Sequence, residues 1–319
     1  MRSRAFVFLF TLIVAAASAD AQQWRVFGRG AAFLTHVSET GPPDPQSAVF
    51  STNWLIAGAE RSFGSGSILF RGRFTAEEAT IPDEGYPQLF QQTGVTIDRM
   101  RAHDAVEEVA VQLHWRALRI YAAGKGEPPL GAAPYRQRAS SIDFAEAPFS
   151  YDIQESFHVA KKVGVAAIET SAFTVEGGVF DLNGNSWAGR AILRPVPHLS
   201  LQASHGRIGD AKEKISSASV GYEGTLLAAS AIWTQRDPDT AYGIEVALRG
   251  ARNIAMARAE NVRDRVHVTV GYIFDLWSRD KKRAGLGVNV DYHTKTHGLE
   301  SQYGHKPQSI YAFARVRTE

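Results

Sequence analysis

From Arg265 to Trp277 the chain reads RVHVTVGYIFDLW, in which Val266, Val268, Val270, Tyr272, Phe274 and Leu276 alternate with Arg265, His267, Thr269, Gly271, Ile273 and Asp275. The segment AGLGVNVDYH (284–293) sets Leu286, Val288, Val290 and Tyr292 against Gly287, Asn289, Asp291 and His293. YGIEVALRG (242–250) repeats the pattern, with Tyr242, Ile244, Val246 and Leu248 on one face. A period of two sustained over eight or more residues specifies strands with one apolar and one polar face. Nothing after Ala21 has the length and apolarity of a spanning helix.

Alternation alone fits a soluble sandwich or a membrane barrel, and two features favour the barrel. Aromatic residues recur near the ends of apolar faces (Trp115, Tyr222, Trp233, Tyr272, Tyr292), as an interfacial girdle requires. The opposite faces carry charges suited to a wet lumen, among them Arg71, Arg73, Glu108, Arg190, Arg194, Glu245, Arg258, Glu260, Asp291, Arg315 and Arg317. A chain that spans lipid with strands must close its sheet, because unpaired backbone groups find no water there. The fold expected is all-β: a transmembrane, antiparallel, up-and-down β-barrel.

The first residues, MRSRAFVFLFTLIVAAASADA, place Arg2 and Arg4 before an apolar run and end on Ala19-Asp20-Ala21. This reads as a secretory signal over 1–21, with the barrel over 22–319. No cysteine is present, so an exported chain forms no disulfides. The expected location is the Gram-negative outer membrane. Outer-membrane lipids, the barrel-assembly machinery and small solutes or ions are the partners. The net charge of +2 suggests no nucleic acid, and no cofactor is expected.

Candidate strands lie near 24–36, 49–61, 66–76, 105–116, 117–123, 158–169, 172–182 and 186–194, then near 198–207, 214–223, 225–236, 240–249, 253–261, 265–277, 284–294 and 309–317. That is about 16, an even count as single-chain bacterial barrels have, with 14 or 12 also compatible with the pattern. All four long connections (37–48, 77–104, 124–157, 295–308) follow odd-numbered strands, and tight turns follow the even ones. Long outer loops opposite short periplasmic turns is the barrel arrangement. The third long loop, 124–157, holds Pro128, Pro129, Pro134 and Pro148 and has apolar weight in Ile142, Phe144, Phe149 and Tyr151. It is expected to fold into the barrel mouth.

The run GYPQLFQQTGVTIDRMRAHD (85–104), the loop GEPPLGAAPYRQRASSIDFAEAPFSYDIQESFHV (126–159) and the segment SWAGRAILRPVPHLSLQASHGRI (186–208) resemble those of an uncharacterised family of Gram-negative outer-membrane barrel proteins. The resemblance implies an outer-membrane barrel whose gene neighbours heavy-metal, notably copper, handling genes. It carries over no substrate and no catalytic residue. Relatives have two histidines around the Asp-Arg element, whereas IDRMRAHD here has Met100, Ala102 and only His103.

Three function classes follow. The first is a porin-like channel for small polar or anionic solutes, with Arg136, Arg138, Asp143 and Glu146 of the third loop and Glu176 and Arg190 of the wall forming a constriction. A barrel of this width leaves an aqueous channel, and a ring of arginines favours anions. The second is a structural or metal-binding barrel without an open pore. His103, Asp104, His293, His297 and His305 would serve as ligands at the outer end, a donor set suited to Zn(II) or Cu(II) rather than Cu(I). The third is a lipid-modifying enzyme built on Ser204-His205 and His103-Asp104. It lacks any nucleophile motif, so the chain is read as a non-enzyme.

Overall fold

A computed structural model of the chain describes residues 24–41, 46–93, 96–132, 138–154, 157–263, 265–294, 300–304 and 306–318. The expected signal segment, Arg136, His297 and His305 lie outside them. Sixteen antiparallel strands close into one barrel. They are β1 (Trp24–Thr40), β2 (Ser47–Phe63), β3 (Gly66–Phe74), β6 (Val106–Trp115), β7 (Leu118–Gly126), β8 (Ala160–Glu169), β9 (Phe173–Asp181), β10 (Asn185–Val196), β11 (Leu199–Ile208), β12 (Glu213–Glu223), β13 (Leu227–Arg236), β14 (Asp239–Arg249), β15 (Asn253–Val262), β16 (Arg265–Arg279), β17 (Lys282–Thr294) and β18 (Gln308–Thr318). Each expected strand has its counterpart. Every strand pairs with its neighbours in barrel order, and β1 closes on β18 from Gly30↔Thr318 to Thr40↔Gln308. Two further strands, β4 (Tyr86–Thr93) and β5 (Thr96–Met100), form a separate hairpin within the second long loop.

The alternation reads directly onto the two faces. On β16 the residues Val270, Tyr272, Phe274 and Leu276 point outward and are exposed, while His267, Thr269, Ile273 and Asp275 are buried inside. Leu34, Val175, Val179, Leu193, Ile244, Leu286 and Val316 continue the exposed apolar belt around the barrel. A soluble monomer rarely exposes a contiguous surface of that kind; lipid is the medium that matches it. Two aromatic girdles frame the belt. Trp187, Tyr242 and Tyr292 sit near one end, and Trp115, Tyr222 and Trp277 near the other.

All the long connections emerge at one end of the barrel, after β1, β3, β7 and β17. The lumen departs from the expected wet interior. Its charged wall residues are inward as expected, but Phe33, Trp54, Ile254, Ile273 and Phe313 also point inward and pack against Phe144 of the third loop. A second inward apolar cluster joins Leu130 and Phe157 of that loop to Val163, Val165, Phe180, Ile208 and Ile215. The barrel is too wide for wall side chains to fill it, so a folded-in loop supplies the missing core.

Candidate functional site

The described residues of the third loop, 127–132, 138–154 and 157–159, pack inside the barrel. The loop's entry is fixed at Gly131, whose φ of +84° is left-handed and whose missing Cβ would fall 2.5 Å from the Phe157 ring. Only glycine fits there without strain. The Gly131 N–H donates to Ser204 Oγ at 2.9 Å, tying the loop to β11. From there the chain crosses the lumen as two short helical turns, Ala139–Ile142 and Tyr151–Gln154. The indole N–H of Trp54 on β2 donates to Ser141 O at 2.9 Å, and Thr52 donates to Ala145 O at 3.1 Å. On the opposite wall Ser140 donates to Glu245 of β14.

Charge holds the middle of the loop. Asp143 accepts hydrogen bonds from Arg249 (2.9 Å), Arg315 (2.7 Å) and Arg317 (3.2 Å). Glu146 accepts from Arg258 at 2.8 Å and from Asn289 at 2.6 Å, and the Arg258 guanidinium lies 4.5 Å from the Phe144 ring centre. Further along, the Phe149 and Ser150 N–H groups each donate to Glu260 at 2.9 Å. The β4–β5 hairpin closes the long-loop end over this loop. Tyr86 stacks on Phe50 at 4.0 Å and accepts from the Ala147 N–H, and Gln88 donates to Ala147 O at 2.7 Å.

Two cavities bear on this loop and the wall around it. One of about 540 Å³ lies at the long-loop end, lined by His103, Asp104, Glu107, Lys125, His158 and Lys161 among others. One of about 560 Å³ lies at the short-turn end, where Arg29, Arg138, Arg249, Arg283 and Arg317 outnumber Glu223 and Glu245. Arg249 and Arg317 share Asp143, and Arg283 pairs with Asp275 at 3.0 Å. Among the described residues Arg29 has no ion-pair partner, so it brings uncompensated positive charge to this chamber.

Similar solved structures share this architecture. An anion-selective porin from Comamonas acidovorans superimposes with a TM-score of 0.61 at 12% identity, covering 92% of this chain and 100% of that one. A mutant of the Rh. blastica porin gives 0.58 at 10% identity, with 92% and 100% covered. A loop-deletion mutant of OmpT, an outer membrane protein of Vibrio cholerae, gives 0.54 at 11% identity, with 92% and 99% covered. The fold is that of a porin barrel. No protein-family model and no curated protein matches the chain.

Within this porin-like barrel the sequence-expected constriction residues divide into two groups. Asp143 and Glu146 meet the arginines of β14, β15 and β18, and Arg138 lines the short-turn chamber beside Glu245. Glu176 and Arg190 face each other on β9 and β10, within a wall network that includes Arg119, Glu127, Arg73, Glu108 and Arg71. Arg138 therefore does not sit beside Arg190 and Glu176, as its place in the third loop had suggested.

The expected metal ligands separate in the same way. His103 groups with Glu107 and His158, Asp104 pairs with Lys125, and His293 groups with His267 and Asp291. His267 was missed, and turn position alone does not find it: a hairpin centred on the Asp280–Lys281 turn pairs 267 with 294, and the bulge between Asp275 and Trp277 shifts the register so that His267 faces His293. The hypothetical Ser-His pair does not form. Ser204 points inward to Gly131, while His205 points outward and bonds Ser216 at 2.9 Å.

Proposed function

We propose that the protein is an outer-membrane, porin-like channel for small polar or anionic solutes, with the third loop setting its passage. One observation carries this reading. A loop inserted from the wall divides the lumen into two chambers, the lower of which is lined by five arginines against two glutamates. Positive lining at a narrow passage admits anions and repels cations. The porin fold supports the location and the class of activity, as does the apolar belt. Outer-membrane lipids on the belt, the barrel-assembly machinery during insertion and small solutes in the chambers are the partners that follow. No catalytic residue enters this reading.

A specific observation favours a second reading, a barrel closed at rest. Glu146, Arg258, Asn289, Asp275 and Arg315 are buried to within 3% of complete, so the wall behind the loop offers no water path. Purified protein in planar lipid bilayers separates the two. Stepwise, anion-selective currents support the channel, and silence from folded protein selects the closed barrel.

A further inference from the structure

His267, Asp291 and His293 lie on the inner face of the β16–β17 hairpin, with one potential donor atom from each within 4.8 Å of the others. All three are buried, at 1%, 1% and 7% exposure. The two imidazoles stack at 4.4 Å. His267 Nδ1 faces Glu260 Oε2 at 3.4 Å, and its Nε2 lies 3.2 Å from Asp291 Oδ2 but out of line for a hydrogen bond. Asp291 Oδ1 is buried with no hydrogen-bond partner. A ring nitrogen and a carboxylate held that way, in a dry site, are what a shared cation would join.

Three carboxylates, Glu146, Glu260 and Asp291, meet Arg258 and His267 in this buried patch. The Glu260–His267 contact also has the form of an orienting carboxylate behind a metal-bound imidazole, which fixes the tautomer that leaves Nε2 free to ligate. By contrast His103 is less suited to a metal, because Nδ1 meets Glu77 and Nε2 meets Tyr151 OH at 2.9 Å.

We infer that His267, Asp291 and His293 form a buried site for a borderline divalent cation of the zinc class. Two imidazoles and one carboxylate fit that class, and the site has no sulfur donor for Cu(I). The site is independent of whether the barrel conducts. Its orienting carboxylate, Glu260, is also the docking point of the third loop, through Phe149 N, Ser150 N and Ser150 Oγ. A bound cation therefore stabilises the docked loop, and loading has to precede docking.

The test is full-length barrel refolded in detergent with Zn²⁺, then passed over a chelating resin and assayed for metal, with Co²⁺ loading followed by its visible d–d absorption. The expected result is a single retained equivalent, little uptake when Zn²⁺ is added only after folding, and a higher unfolding temperature for the loaded protein. His293→Gln and Asp291→Asn should lose retention, His103→Gln should keep it, and Glu260→Gln should weaken it about 10–100-fold. Retention unchanged in both His267→Gln and His293→Gln overturns the assignment. So does folded wild type that retains no Zn²⁺, which leaves His267 as a charged partner of Glu260 and Asp291. That wild-type measurement decides the matter even if a variant fails to fold.

Discussion

Asp143, on the loop that crosses the lumen, and Arg315, on the last strand, meet at 2.7 Å with neither side chain exposed to solvent. Arg315 also holds Asp275 at 3.0 Å, and Asp143 also takes Arg249 and Arg317. One loop carboxylate thus gathers cations from β14 and β18. Removing one member of a buried ion pair strands the others, at a cost of about 3–5 kcal/mol. Asp143→Ala should release the loop and lower barrel stability by that order. Denaturant unfolding, together with protease cleavage of the loop in the folded protein, measures it; an unchanged cleavage rate would show that the loop is held elsewhere.

The lipid face gives a second expectation. Val270 lies between the girdles, opposite Val290 and Ala257, whereas Val268 pairs with the girdle residue Tyr292. Val270→Arg should cost about 2–4 kcal/mol, the range for a cation at mid-bilayer. Ser219→Arg, in the wall of the short-turn chamber, should cost little. Thr269 is not a tolerant site despite facing inward, because it is completely buried. A refolding titration in lipid that ranked Val270→Arg with Ser219→Arg would rule out the lipid contact.

Ion preference is the third. Arg29→Glu reverses the sign of a charge in the short-turn chamber that has no ion-pair partner among the described residues, so the proposed anion selectivity should fall in reversal-potential measurements. The effect should fade at high salt, since screening reaches about 10 Å at 0.1 M and shortens further above it. Deleting 128–146 should widen conductance. Equal selectivity in wild type and Arg29→Glu would remove this arginine from the passage.

A pH effect follows from the loop end nearest the outer rim. Burial pushes Asp152 up to about 6, with Arg263 and then Arg236 acting against it. These arginines are themselves engaged by Asp239 and Glu213. The unfolded value is about 3.9. A carboxyl raised on folding destabilises the fold when ionised, so the cost is missing below pH ~4 and complete above about 6. The stability difference between wild type and Asp152→Asn should therefore grow in favour of the variant from pH 4 to 7. A difference that is flat with pH would refute it.

The wall was legible in the sequence because its physics is local. Val270, Tyr272 and Phe274 must meet lipid and Asp275 must not, and period two records that demand residue by residue. The lumen was not legible to the same degree. Residues 127–159 carry no period, since the surface they cover is assembled from strands spread along the whole barrel. Phe144 announced an anchor, but nothing local told that it would meet Phe33, Trp54 and Phe313. Glu176 and Arg190 were findable as register partners across one hairpin. Arg138 was misplaced because its neighbour, Glu245, lies more than a hundred residues further on.

The same long reach sets the order in which this protein can be built. Asp143 finds Arg249 106 residues later and Arg317 174 residues later, and Glu146 finds Asn289 143 residues later. Contacts of such separation form only after a large loss of chain entropy has been met. The third loop therefore acts as a keystone set from within. It cannot lock until the last strand has come round to the first, and once locked it ties the β1–β18 seam shut through Arg315 and Arg317.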